Sequence, residues 1–498
     1  MCTSAPGSLA RTPAHSGTRV PIRPLALLVG IVLGGCAVGP NYVRPESPPV
    51  AQYGWGGDPA GTKEAHGVAQ RFAPGGEVER DWWRLFHSAP LDAAVAEALA
   101  RNPGLAAAQA SLQASEESLR SGYGIFFPQA QADARASRER FSAVQFGQPS
   151  AGSVFDLFTL GASVSYALDV FGGERRMIEG LRAQVDAQHA TEEAAYLTLV
   201  ANVVNTLVAA AAYRAEIEAT GQLIELQKSQ VKLAQVQWQA GTVAYSSVLA
   251  LRSQLASYQA TIPQLEQKLT QSEDLLASLT GHVPAEWPAP QLRLSDLSLP
   301  AELPVSLPSR LVRQRPDVLL AEATAHSASA QIGVATAAML PSIMLNGAYS
   351  ASSVQAGELF APQGRAWSFG ADVTAPLFQG GTLWHRRKAA VDTYHETAAL
   401  YRQTVLGAFA QVADTLRALD HDARALAAED EALATAEQAL HLIQIHYEAG
   451  LSTYLEVLAA DAQYHQAMIG ELEALAVRYQ DTVALYVALG GGWWHDSD

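Results

Sequence analysis

Cys36 is the side chain with the clearest chemical prospect in this chain. It closes the run Leu33-Gly34-Gly35-Cys36, after a short apolar core from Leu25 to Leu33 and an acid-free basic region holding Arg11, Arg19 and Arg23. That order is an export signal, and its core is too short to span a bilayer. Small residues ahead of a cysteine in that place resemble a lipoprotein cleavage box, in which the thiol is lipidated and becomes the first mature residue. An ordinary signal peptide with a coincidental cysteine is the plainer alternative. Removing residues 1–35 deletes three arginines and no acid, so the formal charge of −16 becomes −19. It also removes Cys2, and one remaining thiol cannot form an intrachain disulfide. An exported chain with its single cysteine at this point favours anchoring over redox work.

Two carboxylates near the C-terminal third come next, Glu456 and Asp461. They lie just past an Ala449-Gly450 turn, and their plain reading is a solvated helix face. His441 and His446 are five residues apart, which puts them on different faces of a helix, and no specific metal site is expected in the chain. The chain has no H-E-x-x-H, G-x-S-x-G, P-loop or C-x-x-C motif, so neither a cofactor nor covalent catalysis is expected. The strongly acidic balance argues against nucleic acid as a partner. No apolar stretch of about 20 residues stands out, so no transmembrane helix is expected.

The elements that would carry these residues have two distinct periods. Leu160, Ala162, Val164, Tyr166, Leu168 and Val170 alternate with Gly161, Ser163, Ser165, Ala167 and Asp169. Trp367, Phe369, Ala371, Val373, Ala375 and Leu377 alternate with Ser368, Gly370, Asp372, Thr374 and Pro376, and Ile343 to Tyr349 supplies a partner strand. A weaker partner, Gln129 to Ser137, alternates small and polar residues. A period of two marks strands with one apolar and one polar face. Each is about the length that crosses a bilayer with tilt, roughly 9–11 residues. A soluble sheet with one wet face is the alternative; the aromatic residues gathered on the apolar face favour lipid. Four strands cannot close a barrel by themselves, since the smallest membrane barrels have about eight. If they span a membrane, sister subunits share the barrel, and three chains supply twelve strands.

The second period is seven. Tyr196, Val203, Ala210, Ile217, Ile224, Val231 and Trp238 form one stripe, and Val405, Val412, Leu419, Leu426, Leu433, Leu440 and Tyr447 repeat it 209 residues later. Such a stripe specifies a supercoiled helix packed along its length. A helix from Glu174 to Gln239 would be about 100 Å long at roughly 1.5 Å per residue. Return helices follow, the first one expected to bend at Pro263, with hairpin tips near 240–247 and 449–456. The repeated landmarks imply duplication. The expected organisation is a signal peptide over 1–35, an extended Pro- and Gly-rich tether over 36–80, and a first repeat over 81–282 with its strand pair in 129–170. A Pro-rich linker over 283–308 follows, then a second repeat over 309–491 with strands in 342–377, and a tail over 492–498. Each repeat is expected to open with one long helix, the first running from Leu91 to Phe127-Pro128.

Several segments together resemble the outer-membrane efflux protein family, in its TolC-like, OprM/NodT-type lipoprotein branch. They are Cys36-Ala37-Val38-Gly39-Pro40-Asn41-Tyr42-Val43-Arg44-Pro45, Trp82-Trp83-Arg84-Leu85-Phe86, and Leu311-Val312-Arg313-Gln314-Arg315-Pro316-Asp317-Val318 with Ala321-Glu322. Ala240-Gly241 with Tyr245, and Ala449-Gly450 with Tyr454, are similar to the family's two hairpin tips. The resemblance covers nearly the whole mature chain. It implies an α+β membrane protein: a homotrimer whose twelve-stranded β-barrel in the outer membrane continues as a periplasmic α-barrel of coiled-coil hairpins. It implies a passive conduit for drugs or other small toxic compounds, docked through its tips onto a periplasmic adaptor protein and an inner-membrane efflux transporter. Ala37 after the lipidated cysteine, in place of an Asp retention signal, is compatible with outer-membrane lipid. Relatives often carry an acid just past the second tip to ring the closed aperture; here that position is Ala459, with Glu456 and Asp461 on either side as candidates.

Two rivals remain distinguishable. A periplasmic adaptor lipoprotein would carry one hairpin between small β-domains. A structural coiled-coil surface lipoprotein would show heptads uninterrupted by amphipathic strands.

Overall fold

A computed structural model of the chain describes residues 37–142, 144, 147 and 152–496. Cys36 and the signal peptide expected over 1–35 lie outside the described residues. The chain divides into two compact units. One holds the residues up to Pro40 with Ile125–Met177 and Ile332–Arg387; the other holds Asn41–Gly124, Ile178–Gln331 and Lys388–Asp498.

The first unit is built on a four-stranded antiparallel sheet. Strands β2 (Gln129–Phe141), β3 (Ser153–Leu168), β5 (Ser342–Ser353) and β6 (Arg365–Thr374) lie in the order β2-β3-β5-β6. Each hairpin therefore contributes two strands, and β3 joins β5 with Ala162 opposite Tyr349. The first hairpin is longer than its alternation suggests. β3 begins at Ser153 because Val154 to Phe158 pair with Ser137–Arg140 and Ala136, although that stretch breaks the strict apolar–polar pattern. β6 stops at Thr374, short of the expected Leu377, because Pro376 has no N–H to extend the ladder.

At the exit from β3 the Asp169 carboxylate accepts backbone N–H bonds from Glu174 and Arg175, each 3.1 Å, and the Arg175 Nε at 3.0 Å. It therefore caps the helix that follows. Gly172, at φ 77, lets the N-terminal strap pass: a Cβ there would meet the Ala37 Cα at 2.5 Å. The Val38 N–H donates to the Phe171 carbonyl at 3.0 Å. The first residues past Cys36 are thus fixed at the strand-to-helix turn.

The second unit is helical. The helices are α1 (Ala89–Arg101), α2 (Pro103–Gly122), α3 (Gly173–Gln239), α4 (Tyr245–Leu279), α5 (Pro308–Gln314), α6 (Pro316–Ala337), α7 (Thr382–Glu448) and α8 (Tyr454–Ala488). Helices α3 and α7 have 67 residues each, and α4 and α8 have 35 each. The opening helix of each repeat is split, contrary to expectation. Asn102 and Arg315, each followed by proline, sit at ψ 120 and ψ 125 and leave the helical region, because a following proline ring clashes with a helical predecessor. Asn102 then caps the new helix by accepting the Leu105 N–H at 3.0 Å. The first return helix, α4, continues unbroken through Pro263.

Part of α3 is apolar enough to cross a membrane by composition, but its Val200, Val203, Val204, Leu207 and Val208 are fully buried core. The tether and linker are also more ordered than expected. β1 (Arg71–Pro74) and β4 (Glu302–Val305) pair in parallel with Phe72 opposite Leu303, and both side chains are buried. Trp82 stacks on Tyr486 with ring centroids 5.0 Å apart.

Candidate functional site

The sheet carries two surfaces of opposite chemistry. Leu160, Val164, Tyr349, Trp367, Phe369 and Val373 are all exposed, Trp367 at 79 % and Phe369 at 77 %. Because side chains alternate, they share one face with Ala130, Ala132 and Ala134 across the ladder. The other face presents Gln131, Asp133, Ser163, Ser165, Asn346 and Asp372. There the Asn346 side-chain amide donates to Asp372 at 2.5 Å, and Gly161 makes room for Asp133, whose Oδ1 lies 2.6 Å from where a Cβ would sit. A contiguous apolar, aromatic face left uncovered is unfavourable in water and is what hydrocarbon requires.

The two hairpin tips are built alike. Gly241 and Gly450 take φ 77 and φ 75. The Gly241 N–H donates to Trp238 O and the Thr242 N–H to Gln237 O; Gly450 donates to Tyr447 O and Leu451 to His446 O. This is the Schellman closure, and it needs the left-handed residue that glycine supplies. Ala240, Gly241, Ala449 and Gly450 are exposed. Tyr245 leans on Trp238 with centroids 4.8 Å apart. Tyr454 does something different: it packs against the Ala234–Val248–Leu251 cluster of the first hairpin and donates its hydroxyl to Gln230 at 3.3 Å. The tips are therefore held side by side, with Tyr447 also reaching across to Gln237 at 3.0 Å. Around them Leu233, Val236, Leu249, Leu451 and Leu455 remain exposed.

The acids past the second tip have separate environments. Glu456 is exposed and caps its own helix: its Oε2 accepts the Thr453 N–H at 2.6 Å, and the Thr453 side chain returns the bond in a capping box. The first tip has Ala244 and Ser247 at these places and makes no side-chain cap. Asp461 is fully buried. Its Oδ2 lies 3.5 Å from the Tyr258 hydroxyl on α4, and its Oδ1 has no hydrogen-bond partner among the described residues. Burial pushes its carboxyl up to about 6, against a smaller opposing effect of the Tyr258 hydrogen bond. His441 and His446 are both exposed.

The sequence matches the family described as outer membrane efflux protein over residues 94–282 and 307–491. The chain belongs to that family. Among its relatives, it is 29 % identical to the pyoverdine export outer membrane protein OpmQ of Pseudomonas aeruginosa over 427 residues, covering 84 % of this chain and 88 % of that one. It is 29 % identical to the toluene efflux pump outer membrane protein TtgC of Pseudomonas putida over 481 residues, covering 94 % and 95 %. The structure superposes on that of the outer-membrane channel OprN with a TM-score of 0.81 at 26 % identity, covering 92 % of this chain and all of that one. The outer membrane efflux protein fold expected from the sequence is the fold observed, and the chain is an outer-membrane channel component of a tripartite efflux system.

Two of this efflux protein's recognisable sequence blocks turn out to be partners of each other. Arg44 in the N-terminal block donates to Glu322 in the central block, Nε at 2.8 Å, and Tyr42 stacks on His326 with centroids 4.3 Å apart. Arg315 in the central block is buried; it binds Asp317, the Ala488 carbonyl at 2.8 Å and Gln411 at 2.9 Å. Sequence reasoning identified these motifs and missed what they do. Nothing local in either block signals a partner 278 residues away.

Proposed function

We propose that three copies of this chain close a twelve-stranded barrel and form a passive, water-filled conduit from the periplasm to the exterior. The observation that carries this reading is the four-stranded sheet, in which β2 and β6 each have one strand neighbour, with aromatics exposed on one face and Ser, Asn and Asp on the other. In hydrocarbon the backbone groups along the outer edges need partners, and only closure supplies them. Sister sheets at both edges would put the Ser and Asp face on the lumen.

Cys36 is the proposed lipid anchor. The adjoining strap at the β3 exit supports this, since it fixes the chain start beside the sheet. Ala240, Gly241, Tyr245, Ala449, Gly450 and Tyr454 form the proposed docking surface for a periplasmic adaptor, which in turn meets an inner-membrane efflux transporter. The exposed leucines and valines around the tips suit an intermeshing helical contact. Glu456, with its exposed carboxylate, is the better candidate to ring an aperture; Asp461 is better suited to hold the two hairpins together. The cargo is a small molecule, as in two relatives whose names specify pyoverdine export and toluene efflux. Transport of this kind needs no covalent step.

Single-channel conductance in planar bilayers tests the proposal. Pores are expected, with a larger open fraction after Glu456→Gln. Pure, folded protein that conducts nothing even with Glu456 and Asp461 both neutralised would overturn it.

A further inference from the structure

We propose that His66, Asp430 and Glu471 form a divalent transition-metal site, of the class that takes Zn²⁺, which clamps the segment before β1 onto the second hairpin. The three residues come from separate elements: the turn before β1, α7 and α8. One ligand atom from each lies within 4.8 Å of the others. The His66 Nδ1 is 3.3 Å from Glu471 Oε1 and 3.7 Å from Asp430 Oδ1. Ligands in a tetrahedral zinc site with bonds of about 2.1 Å stand about 3.4 Å apart, so small side-chain rotations suffice to bring all three onto one ion. One imidazole nitrogen and two carboxylate oxygens, with a fourth position left to water, is a donor set that this ion accepts.

The second observation is the state of Glu471. It is 7 % exposed, and its carboxylate is aimed at the His66 ring. Among the described residues no hydrogen-bond donor other than that ring is placed to meet it. A buried carboxylate facing a second carboxylate is unfavourable without a cation between them.

The surroundings are prepared as well. The His66 N–H donates to Asp430 Oδ2 at 3.0 Å, which leaves Oδ1 turned toward the ring. The turn carrying His66 is fixed by the fully buried Arg478, whose guanidinium donates to the Ala65 carbonyl at 3.0 Å and the Val68 carbonyl at 2.9 Å. Groups that orient ligands in this way are what a built site has and a chance cluster lacks. The His66 side chain is half exposed and Asp430 partly so, which gives an ion a way in.

The test uses the full chain purified from outer membranes in detergent, stripped with a chelator and titrated with Zn²⁺ by calorimetry at pH 7.5, alongside Mg²⁺. The expected result is one Zn²⁺ bound per chain, little affinity for Mg²⁺, and a higher melting temperature with zinc. Glu471→Gln keeps the side-chain shape. It should weaken that binding more than about tenfold, since tenfold is already typical for losing a group that only orients a ligand. His66→Ala should abolish both the binding and the thermal shift. If zinc does not bind, or binds equally well to Glu471→Gln and His66→Ala, the site does not exist and the cluster is no more than a local polar contact. Because the expected variants lose metal binding and not conductance, failure here is separate from failure of the conduit reading.

Discussion

The Tyr258 hydroxyl lies 3.5 Å from the Asp461 carboxylate, and this contact joins the return helix of the first hairpin to the return helix of the second. The carboxylate is fully buried with one oxygen unmatched. The groups facing it are Tyr258, whose ring also meets His465 with centroids 4.8 Å apart, and Tyr454 on its own helix. Thr220 on α3 completes the cluster at 3.4 Å from His465.

The pH dependence follows from these shifts. Asp461 has a raised value of about 6 against an ordinary 3.8, so the folded state holds its proton more tightly than the unfolded chain does. Its contribution is most favourable at low pH, is lost as pH rises from about 4 to about 6, and is constant above that. His465 is shifted down by burial, so its contribution is present above its ordinary value and is lost as pH falls. Asp461→Asn removes only the first effect. Thermal melts in detergent should show the variant more stable than the parent at pH 7.5, by on the order of 1–3 kcal/mol, with the difference closing below about pH 4.

The capping box at the second tip predicts an asymmetry between the hairpins. Thr453→Ala should cost about 1 kcal/mol of local stability and speed hydrogen exchange at the start of α8. The equivalent position in the first hairpin is already Ala244, which makes no side-chain cap. Ala244→Ser should slow exchange at the start of α4 by a comparable amount.

The two faces of β6 predict opposite outcomes for one kind of substitution. Phe369→Arg places a charge on the exposed aromatic face, where the cost in hydrocarbon is about 2–4 kcal/mol near the midplane. The protein should fail to reach the outer-membrane fraction, or reach it in reduced amount. Ser368→Arg, one residue away on the other face, should insert normally and change only conductance and ion selectivity.

For the anchor, Cys36→Ala should abolish incorporation of labelled palmitate. A mature chain exported with a replacement signal peptide and lacking Cys36 should still sediment with outer membranes, because a spanning sheet holds more strongly than a single lipid-type anchor.

The strands and long helices were legible in the sequence because each follows a simple period, two for the sheet and seven for α3 and α7. The tips were legible through Gly241 and Gly450, where only a left-handed residue closes the turn. What was not legible depends on distant contacts. The split at Asn102-Pro103 follows from a local rule, the clash of a proline ring with a helical predecessor, which one continuous helix from Leu91 ignores. The β1–β4 pair involves two four-residue segments, one containing Pro304, too short for periodicity to register. Asp461 reads as a solvated acid until Tyr258, 203 residues earlier, is found against it. His66 lies in the segment expected to be an extended tether, and its partners are 364 and more residues away.

The central claim is that one chain is a third of a closed cylinder, and the mass of the native assembly tests it most directly. Native mass spectrometry of the protein released from outer membranes in detergent should show three chains and no stable smaller species. A folded monomer that persists in detergent, or a water-soluble monomer, would contradict the account.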